Sequence, residues 1–353
     1  MTPAPGPLTV VGPGPQAAGP PVLIVGAGLA GVSCARVLHD AGVEVRLIDR
    51  GRRIGGRMAV RSERWNDTEH PVDIGAQYFT AREPDFVDLV EGWQRAGLVR
   101  PWTDTFHLAG PDGLAGTATG PVRWAATGGL RSLVEQLAAG LAIEHPRDVA
   151  EVGAGPDGPS VDGEPAAAVV LAMPDPQALD LLPEPVGSAL GLAPYLAWSP
   201  TICVWAGWSS RWWPELDAAF VHDSAVLTWL ADDGRRRGDG APILVAHTEP
   251  VLSAGMLDQP EAAIEPVLTE LGRVLGVGPV PEPAWVRVKR WSLARAAQPH
   301  PRLFGFDPAT RIGVCVDAWG ARSRVEQAWR SGRALGSALL RGTAAGRLTA
   351  LQE

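Results

Sequence analysis

A single lysine, Lys289, stands among the 31 basic side chains, and the 353 residues include only three cysteines and two tyrosines. The scarcity of lysine accompanies an abundance of Arg, Pro, Gly and Ala, a pattern of codon bias more than of function. Cys34, Cys203 and Cys315 lie far apart along the chain in apolar contexts, which gives neither a disulfide framework nor metal-ligand spacing, and a reducing cytoplasm is the expected compartment. The seven histidines form no pair at the helical spacing of a zinc site, and no Gly-x-Ser-x-Gly elbow is present. Zinc and hydrolytic chemistries therefore lose support. No continuous apolar run reaches the length of about eighteen residues that a membrane span needs. The net charge of -8 would repel a phosphate backbone, so nucleic acid is not an expected partner. Residues 1–20, MTPAPGPLTVVGPGPQAAGP, have neither the cationic start nor the apolar core of a secretory signal and read as a disordered tail.

Against these absences, the segment from Pro21 to Arg50 is dense in signal. Val22 to Val25 is a continuous apolar run suited to a buried parallel strand. It leads into Gly26-Ala27-Gly28-Leu29-Ala30-Gly31, a G-x-G-x-x-G turn. Such glycines permit the tight turn, the close approach of backbone to a pyrophosphate and the packing of helix on strand. A helix through Val32, Ala35, Val37 and Leu38 ends near Gly42, and a second strand from Val43 to Ile48 delivers Asp49, where a ribose-binding acid belongs, followed by Arg50. This pattern predicts a dinucleotide site and by itself does not separate FAD from NAD.

The next segment separates them. Arg53 to Met58 reads RIGGRM, which resembles the R-x-G-G-R signature of the flavin amine oxidase superfamily, with Gly55, Gly56 and Arg57 closing over the cofactor phosphates. An arginine suits that place because its planar fork forms paired charge-assisted hydrogen bonds. Asp73 to Arg82, DIGAQYFTAR, closely resembles the following segment of renalase-like proteins, the bacterial members most of all. There Gly75 and Ala76 would let backbone approach a flat ring, and Gln77 and Tyr78 would offer polar edges. Arg311 to Gly332, RIGVCVDAWGARSRVEQAWRSG, is similar to the second flavin-binding motif. The resemblance implies Asp317 at the ribityl-phosphate region and a helix entered through Val325 and Glu326 at the pyrimidine end. It also implies an adenine-side strand over about 148–152, with Val149 at the adenine, and a crossover from Val169 to Pro174. The match covers most of residues 22–340, is strongest at these three motifs and is thin from Trp198 to Pro283. Asp49 replaces the more usual Glu, while Val316 and Gln327 replace usual glycines and are expected to put bulk near the cofactor. Cys315 does not match the cysteine of covalently flavinylated relatives, so the FAD is expected to be non-covalent.

The fold class that follows is α/β: a split Rossmann-type FAD-binding domain with a second, mainly β-sheet substrate domain. The FAD domain is expected to take residues 21–80, 128–185 and 296–342, and the substrate domain residues 81–127 and 186–295. Most of the 14 tryptophans fall in that second domain. Pro200 to Trp208 and Val286 to Trp291 alternate as strands roofing the flavin, and Asp232 to Gly240, DDGRRRGDG, reads as a solvated turn. The renalase resemblance implies substrates that are misreduced dihydronicotinamide dinucleotides, the 2- or 6-dihydro isomers of NAD(P)H. Hydride would pass to the flavin N5, and dioxygen would then be reduced to hydrogen peroxide. Such chemistry needs alignment more than acid–base help. Trp291 and Trp319 are candidates for ring stacking, with Gln77 and Tyr78 beside the ring, and Arg82 and Arg290 for a substrate phosphate. An oxidase of a small amine, with Lys289 holding a water, and a non-catalytic flavin-binding protein are the alternatives. Charge reversal in Asp49→Arg should reduce the flavin that co-purifies; an unchanged flavin-to-protein absorbance ratio would remove the ribose role.

Overall fold

The computed structural model describes residues 19–194 and 198–349, the side chains of 343–349 excepted. Residues 1–18 of the expected tail lie outside the described residues. The chain opens with strand β1 (Val22–Val25), helix α1 (Leu29–Asp40) and strand β2 (Val45–Ile48). A hairpin of β3 (Val60–Trp65) and β4 (Thr68–Asp73) precedes α2 (Pro84–Arg95) and the long pair β5 (Val99–Gly110) and β6 (Gly113–Ala126). Then come α3 (Arg131–Leu137), β7 (Ala142–Glu144), and the short strands β8 (Val152–Gly155), β9 (Gly158–Val161) and β10 (Glu164–Pro165). They are followed by β11 (Ala168–Leu171), α4 (Asp175–Leu179) and α5 (Glu184–Leu190). Beyond these lie β12 (Trp198–Gly207), β13 (Ala218–Val221), β14 (Leu227–Asp232), α6 (Asp233–Arg237) and β15 (Ile243–Thr248). The chain continues through α7 (Pro250–Gly255), α8 (Ile264–Leu275) and β16 (Trp285–Ala296), and closes with β17 (Gly305–Asp307), β18 (Ile312–Val314) and α9 (Val325–Thr349).

Two sheets carry the architecture. One has the order β17-β18-β11-β1-β2-β7, in which every pairing but β17 with β18 is parallel. Its central strands, VLIV and AVVL, are fully buried and uniformly apolar, as strands covered on both faces must be. Helices α1 and α9 pack so closely that a methyl on Gly332 would meet the Ala30 carbonyl oxygen at 2.0 Å. Both ends of the chain thus build one sheet. Its strands come from residues 22–48, 142–171 and 305–314, while the hairpin β3-β4 stands apart as its own two-stranded sheet.

The other sheet has the order β16-β12-β15-β14-β13-β5-β6 and is antiparallel except where β13 meets β5. Because side chains alternate across a strand, its two faces differ. Ile202, Val204 and Ala206 share a core with Val267, Leu271 and Val274 of α8. Cys203, Trp205, Ile243 and Val245 pack with Val72 and Ile74 at the end of the β3-β4 hairpin. The second face therefore looks toward the flavin-motif loop.

Two sequence expectations change. Residues 148–151 are extended loop and the strand begins only at Val152, because Ala150 and Glu151 donate their backbone N–H groups to the Asp162 carboxylate in place of a strand ladder. Asp232 to Gly240 is not a solvated turn: it contains helix α6, and Asp232, Asp233, Arg236 and Arg237 are buried. Each charge has a partner, Asp232 pairing with Arg211 at 2.8 Å. Arg236, fully buried, pairs with Asp73 at 2.6 Å and Asp233 at 2.7 Å, and Arg237 also pairs with Asp233. Composition alone shows these charges and not their partners. Arg236→Met should lower stability by about 3–5 kcal/mol, the usual effect of leaving one member of a buried pair without the other, and urea unfolding of the variant measures it.

Candidate cofactor and substrate site

The glycines of the first turn divide by what surrounds them. Gly26 has φ +108°, and a methyl there would lie 2.5 Å from the Ala172 carbonyl oxygen; at Gly31 it would lie 2.0 Å from the Gly26 carbonyl oxygen. Those two positions are closed by packing. Gly28 differs, since a methyl there would meet nothing nearer than the Gly56 Cα at 4.0 Å. Its surroundings are open on the side facing the second glycine loop. That loop is held to the first by a hydrogen bond from Gly55 N to Ala27 O at 2.9 Å, and Gly55 and Gly56 both have positive φ. The two turns form a backbone cradle at the C-terminal edge of β1, ahead of helix α1, which is the arrangement that receives a dinucleotide pyrophosphate.

Asp49 accepts from Ala27 N at 2.6 Å and Gly51 N at 2.7 Å, so its carboxylate braces the cradle from below. Arg50 follows it, exposed, and Leu29 and Ala30 are buried in the first turn of α1. Arg57 reaches across to Asp317, 260 residues away, forming an ion pair and also donating to the Ala294 carbonyl at 3.2 Å. Ser323 donates to the same aspartate. The first and last cofactor motifs thus meet directly. Val149 is half-buried in the loop before β8 and packs against the core beneath β11.

The segment from Gly75 to Tyr78 lies between the two sheets. A methyl on Gly75 would lie 2.0 Å from the Arg57 carbonyl oxygen and 3.3 Å from the Trp291 ring, and Ala76 N donates to that same oxygen at 2.9 Å. Gln77 is buried, donates to the Asp73 carbonyl, and its Oε1 has no partner among the described residues. Tyr78 inserts into an aromatic group, with ring centroids 5.2 Å from Phe106, 5.4 Å from Trp229 and 6.3 Å from Trp102. Burial raises its hydroxyl above the usual range against the pull of Arg123 and Arg295.

Residues directly opposite one another in adjacent strands share a face. Lys289 pairs with Cys203, Cys203 with His247, His247 with Trp229, and Trp229 with Phe220. A single row crosses the sheet on the side facing the flavin loop. Trp291, two residues from Lys289, lies on that face too, donates to the Ile74 carbonyl at 2.8 Å and has Lys289 Nζ 5.3 Å from its ring. Burial, and then Arg61, Arg290 and Arg50, lower the Lys289 ammonium. Burial and then Arg295 push the His247 imidazole down to about 4, so it is neutral at physiological pH. His247 Nε2, Trp229 Nε1 and Trp102 Nε1 are buried without hydrogen-bond partners among the described residues.

Two expected site residues, Trp319 and Arg290, are placed elsewhere. Trp319 is wholly buried, its ring stacked on His300 at 3.8 Å and its Nε1 donating to buried Asp175 at 3.0 Å, so protein atoms occupy the faces a substrate ring would need. Arg290 is on the opposite side of β16 from Trp291 because the strand alternates, and it donates to the Leu257 carbonyl at 2.7 Å. The Glu326 carboxylate accepts from Arg82 N and Glu83 N at 2.7 and 2.8 Å, locking the end of the DIGAQYFTAR segment to the start of α9 beside Val325. Arg82 keeps an exposed side chain. The bulk expected near the cofactor is also turned inward, Val316 into the core and Gln327 onto the Trp319 carbonyl at 2.6 Å. Cys34 and Cys315, distant in sequence, are hydrogen-bonded neighbours in the core; that bond and then burial push the Cys315 thiol up, so no thiolate is offered to a flavin. His247, Trp229, Phe220 and Phe106 were not marked by the sequence, where a lone histidine or aromatic in a strand looks like core.

A parallel dinucleotide-binding sheet joined to a mainly antiparallel sheet that roofs it defines the class of two-domain flavin-binding α/β proteins. Residues 103–334 match the family described as flavin containing amine oxidoreductase, and residues 24–93 match an NAD(P)-binding Rossmann-like domain. The chain belongs to the flavin containing amine oxidoreductase family; it is an FAD-dependent oxidoreductase with a Rossmann-like domain and a mainly β substrate domain. Over 73 residues it is 40% identical to an L-glutamate oxidase precursor of Streptomyces diastatochromogenes, a match spanning 20% of this chain and 11% of that protein. Its fold is similar to cyclohexylamine oxidase from Brevibacterium oxydans IH-35A, at 15% identity and a TM-score of 0.70 over 92% of this chain and 99% of that one. A putrescine oxidase bound to putrescine gives 16% identity and a TM-score of 0.67 over 91% and 99%. Among the described residues no helix is long and apolar enough to cross a membrane.

The unfolded chain should bind a proton at His247 between pH about 6.5 and about 4 that the folded chain refuses. Its contribution to stability is then complete above pH 6.5 and is lost as pH falls through that window. In His247→Gln the loss of stability between those pH values should be smaller than in the parent, as read from paired denaturation curves.

Proposed function

We propose that this FAD-dependent oxidoreductase oxidises misreduced dihydronicotinamide dinucleotides, the 2- and 6-dihydro isomers, with dioxygen as the electron acceptor. The observation that carries the reading is the positive charge beside the aromatic roof: Arg123 and Arg295 act on Tyr78, and Arg295 acts on His247. That field suits a substrate with anionic phosphates and disfavours a dicationic amine. Bound FAD would supply a two-electron acceptor that takes hydride and returns the electrons to dioxygen, giving hydrogen peroxide. Loss of hydride from a dihydropyridine leaves an aromatic pyridinium, so the chain's task is alignment and exclusion of water.

In this reading Gly26, Ala27, Gly28 and Gly31 with Gly55 and Gly56 hold the pyrophosphate without a covalent bond, Asp49 and Arg50 border the ribose, and Val149 the adenine. Arg57 and Asp317 border the ribityl chain, and Gly75, Ala76 and Gln77 the ring. Trp291 and Tyr78 flank the substrate ring, and neutral His247 and Trp229 Nε1 supply hydrogen bonds. The division into an FAD domain of residues 21–80, 128–185 and 296–342 and a substrate domain of 81–127 and 186–295 is part of the same proposal.

Oxidation of a small amine is the second reading, favoured by the aromatic side chains Tyr78, Trp229 and Phe220 and by the lowered Lys289 ammonium. The similarity to oxidases of amines supports it as well. Anaerobic stopped-flow bleaching separates the two, using authentic NADH, chemically isomerised NADH and a panel of amines and amino acids. Fast bleaching by the isomers alone is the expected result; bleaching by an amine with none by the isomers would overturn the first reading.

A further inference from the structure

Arg131, the first residue of α3, is only 7% exposed, yet among the described residues its Nε has no hydrogen-bond partner and no carboxylate pairs with it. The two carboxylates whose fields reach it are engaged elsewhere: Glu135 pairs with Arg53 at 3.2 Å, and Asp73 with Arg236 at 2.6 Å. The other charges acting on it, Arg53 and Arg61, are cationic. An arginine whose Nε is closed off without a partner, with cations among the charges around it, is left with a donor and a charge that an anion would complete.

Its place says which anion. The Arg131 stem lies against the second glycine loop, so that a methyl at Gly55 would sit 3.0 Å from the Arg131 Cγ and 3.6 Å from its Nε. Gly55 is itself bonded to Ala27 of the first glycine turn. Leu130 N donates to Asp73 at 2.8 Å, which fixes the backbone just before Arg131 to the end of β4. The side chain is thus anchored at the cradle and uncompensated there.

We propose that Arg131 is a cofactor-binding residue that donates to the pyrophosphate of FAD, supplying from α3 the positive charge that the glycine loops alone do not provide. A guanidinium suits a diphosphate because its fork bonds two oxygens together. The assignment is independent of which substrate the enzyme oxidises.

The test uses flavin-stripped protein and its Arg131→Met and Arg131→Lys variants, with FAD and riboflavin as probes, read by flavin fluorescence and ultrafiltration. Arg131→Met should weaken FAD binding by about tenfold to a hundredfold, as loss of a charged hydrogen bond does, while riboflavin, which lacks phosphates, binds as before. Arg131→Lys should fall between. The melting temperature of the flavin-free Met variant should equal or exceed that of the parent, since an uncompensated charge has been removed. Equal weakening of FAD and riboflavin would place Arg131 at the ring and overturn the pyrophosphate assignment. Unchanged FAD affinity with a lower flavin-free melting temperature would leave it a purely structural arginine.

Discussion

One buried carboxylate, Asp73, ties together the parts from which the site is assembled. Its Oδ1 accepts from the backbone of Leu130 at the start of α3, and its Oδ2 pairs with Arg236 of α6. It stands at the end of β4, two residues before Gly75. Burial raises this carboxyl above its usual range, and Arg236, the Leu130 N–H and Arg237 act in the opposite sense. An ionised group in such surroundings is tolerable only where its partners are fixed. The consequence is geometric: β4, α3 and α6 cannot shift independently without exposing an unpaired charge to a dry interior.

Two different surfaces meet the segment that follows Asp73. The cradle side is mainly backbone, two glycine turns bonded through Gly55 and Ala27, with the Arg131 side chain lying against the second of them. The roof side is side chain, a row from Lys289 to Phe220 set by strand register. The Arg57–Asp317 ion pair joins motifs from both ends of the chain. An FAD-dependent oxidoreductase needs this division, because a cofactor is gripped through phosphates and ribose, whereas a substrate ring must be aligned by aromatic surfaces and a few polar atoms.

The candidate residues that moved did so for identifiable reasons. Trp319 has a partner for its indole N–H in Asp175 and a ring partner in His300, which makes it a buried pillar beneath Asp317. Arg290 and Lys289 are sequence neighbours on opposite faces of one strand, so only one of them can meet the flavin side. Arg236 and Arg237 look like a solvated run in a segment rich in Gly and Asp, and three carboxylates, one of them 163 residues away, draw them into the interior.

What the sequence determined by itself is the local chemistry. The apolar run from Val22, the close-packed glycines at 26 and 31, the positive-φ glycines at 55 and 56, and the Asp49 carboxylate that accepts from Ala27 N shape a dinucleotide cradle. The alternation in Val286 to Trp291 likewise made a strand legible before its partner was known. Tertiary structure decided what each side chain faces. Register placed His247 beside Cys203 and Trp229, packing brought Cys34 to Cys315, and burial left Arg131 without a counter-ion at the glycine loops. These are contacts between residues far apart in the chain, and no local pattern encodes them, because a strand or helix fixes its own periodicity while its neighbours are set by the packing of the whole.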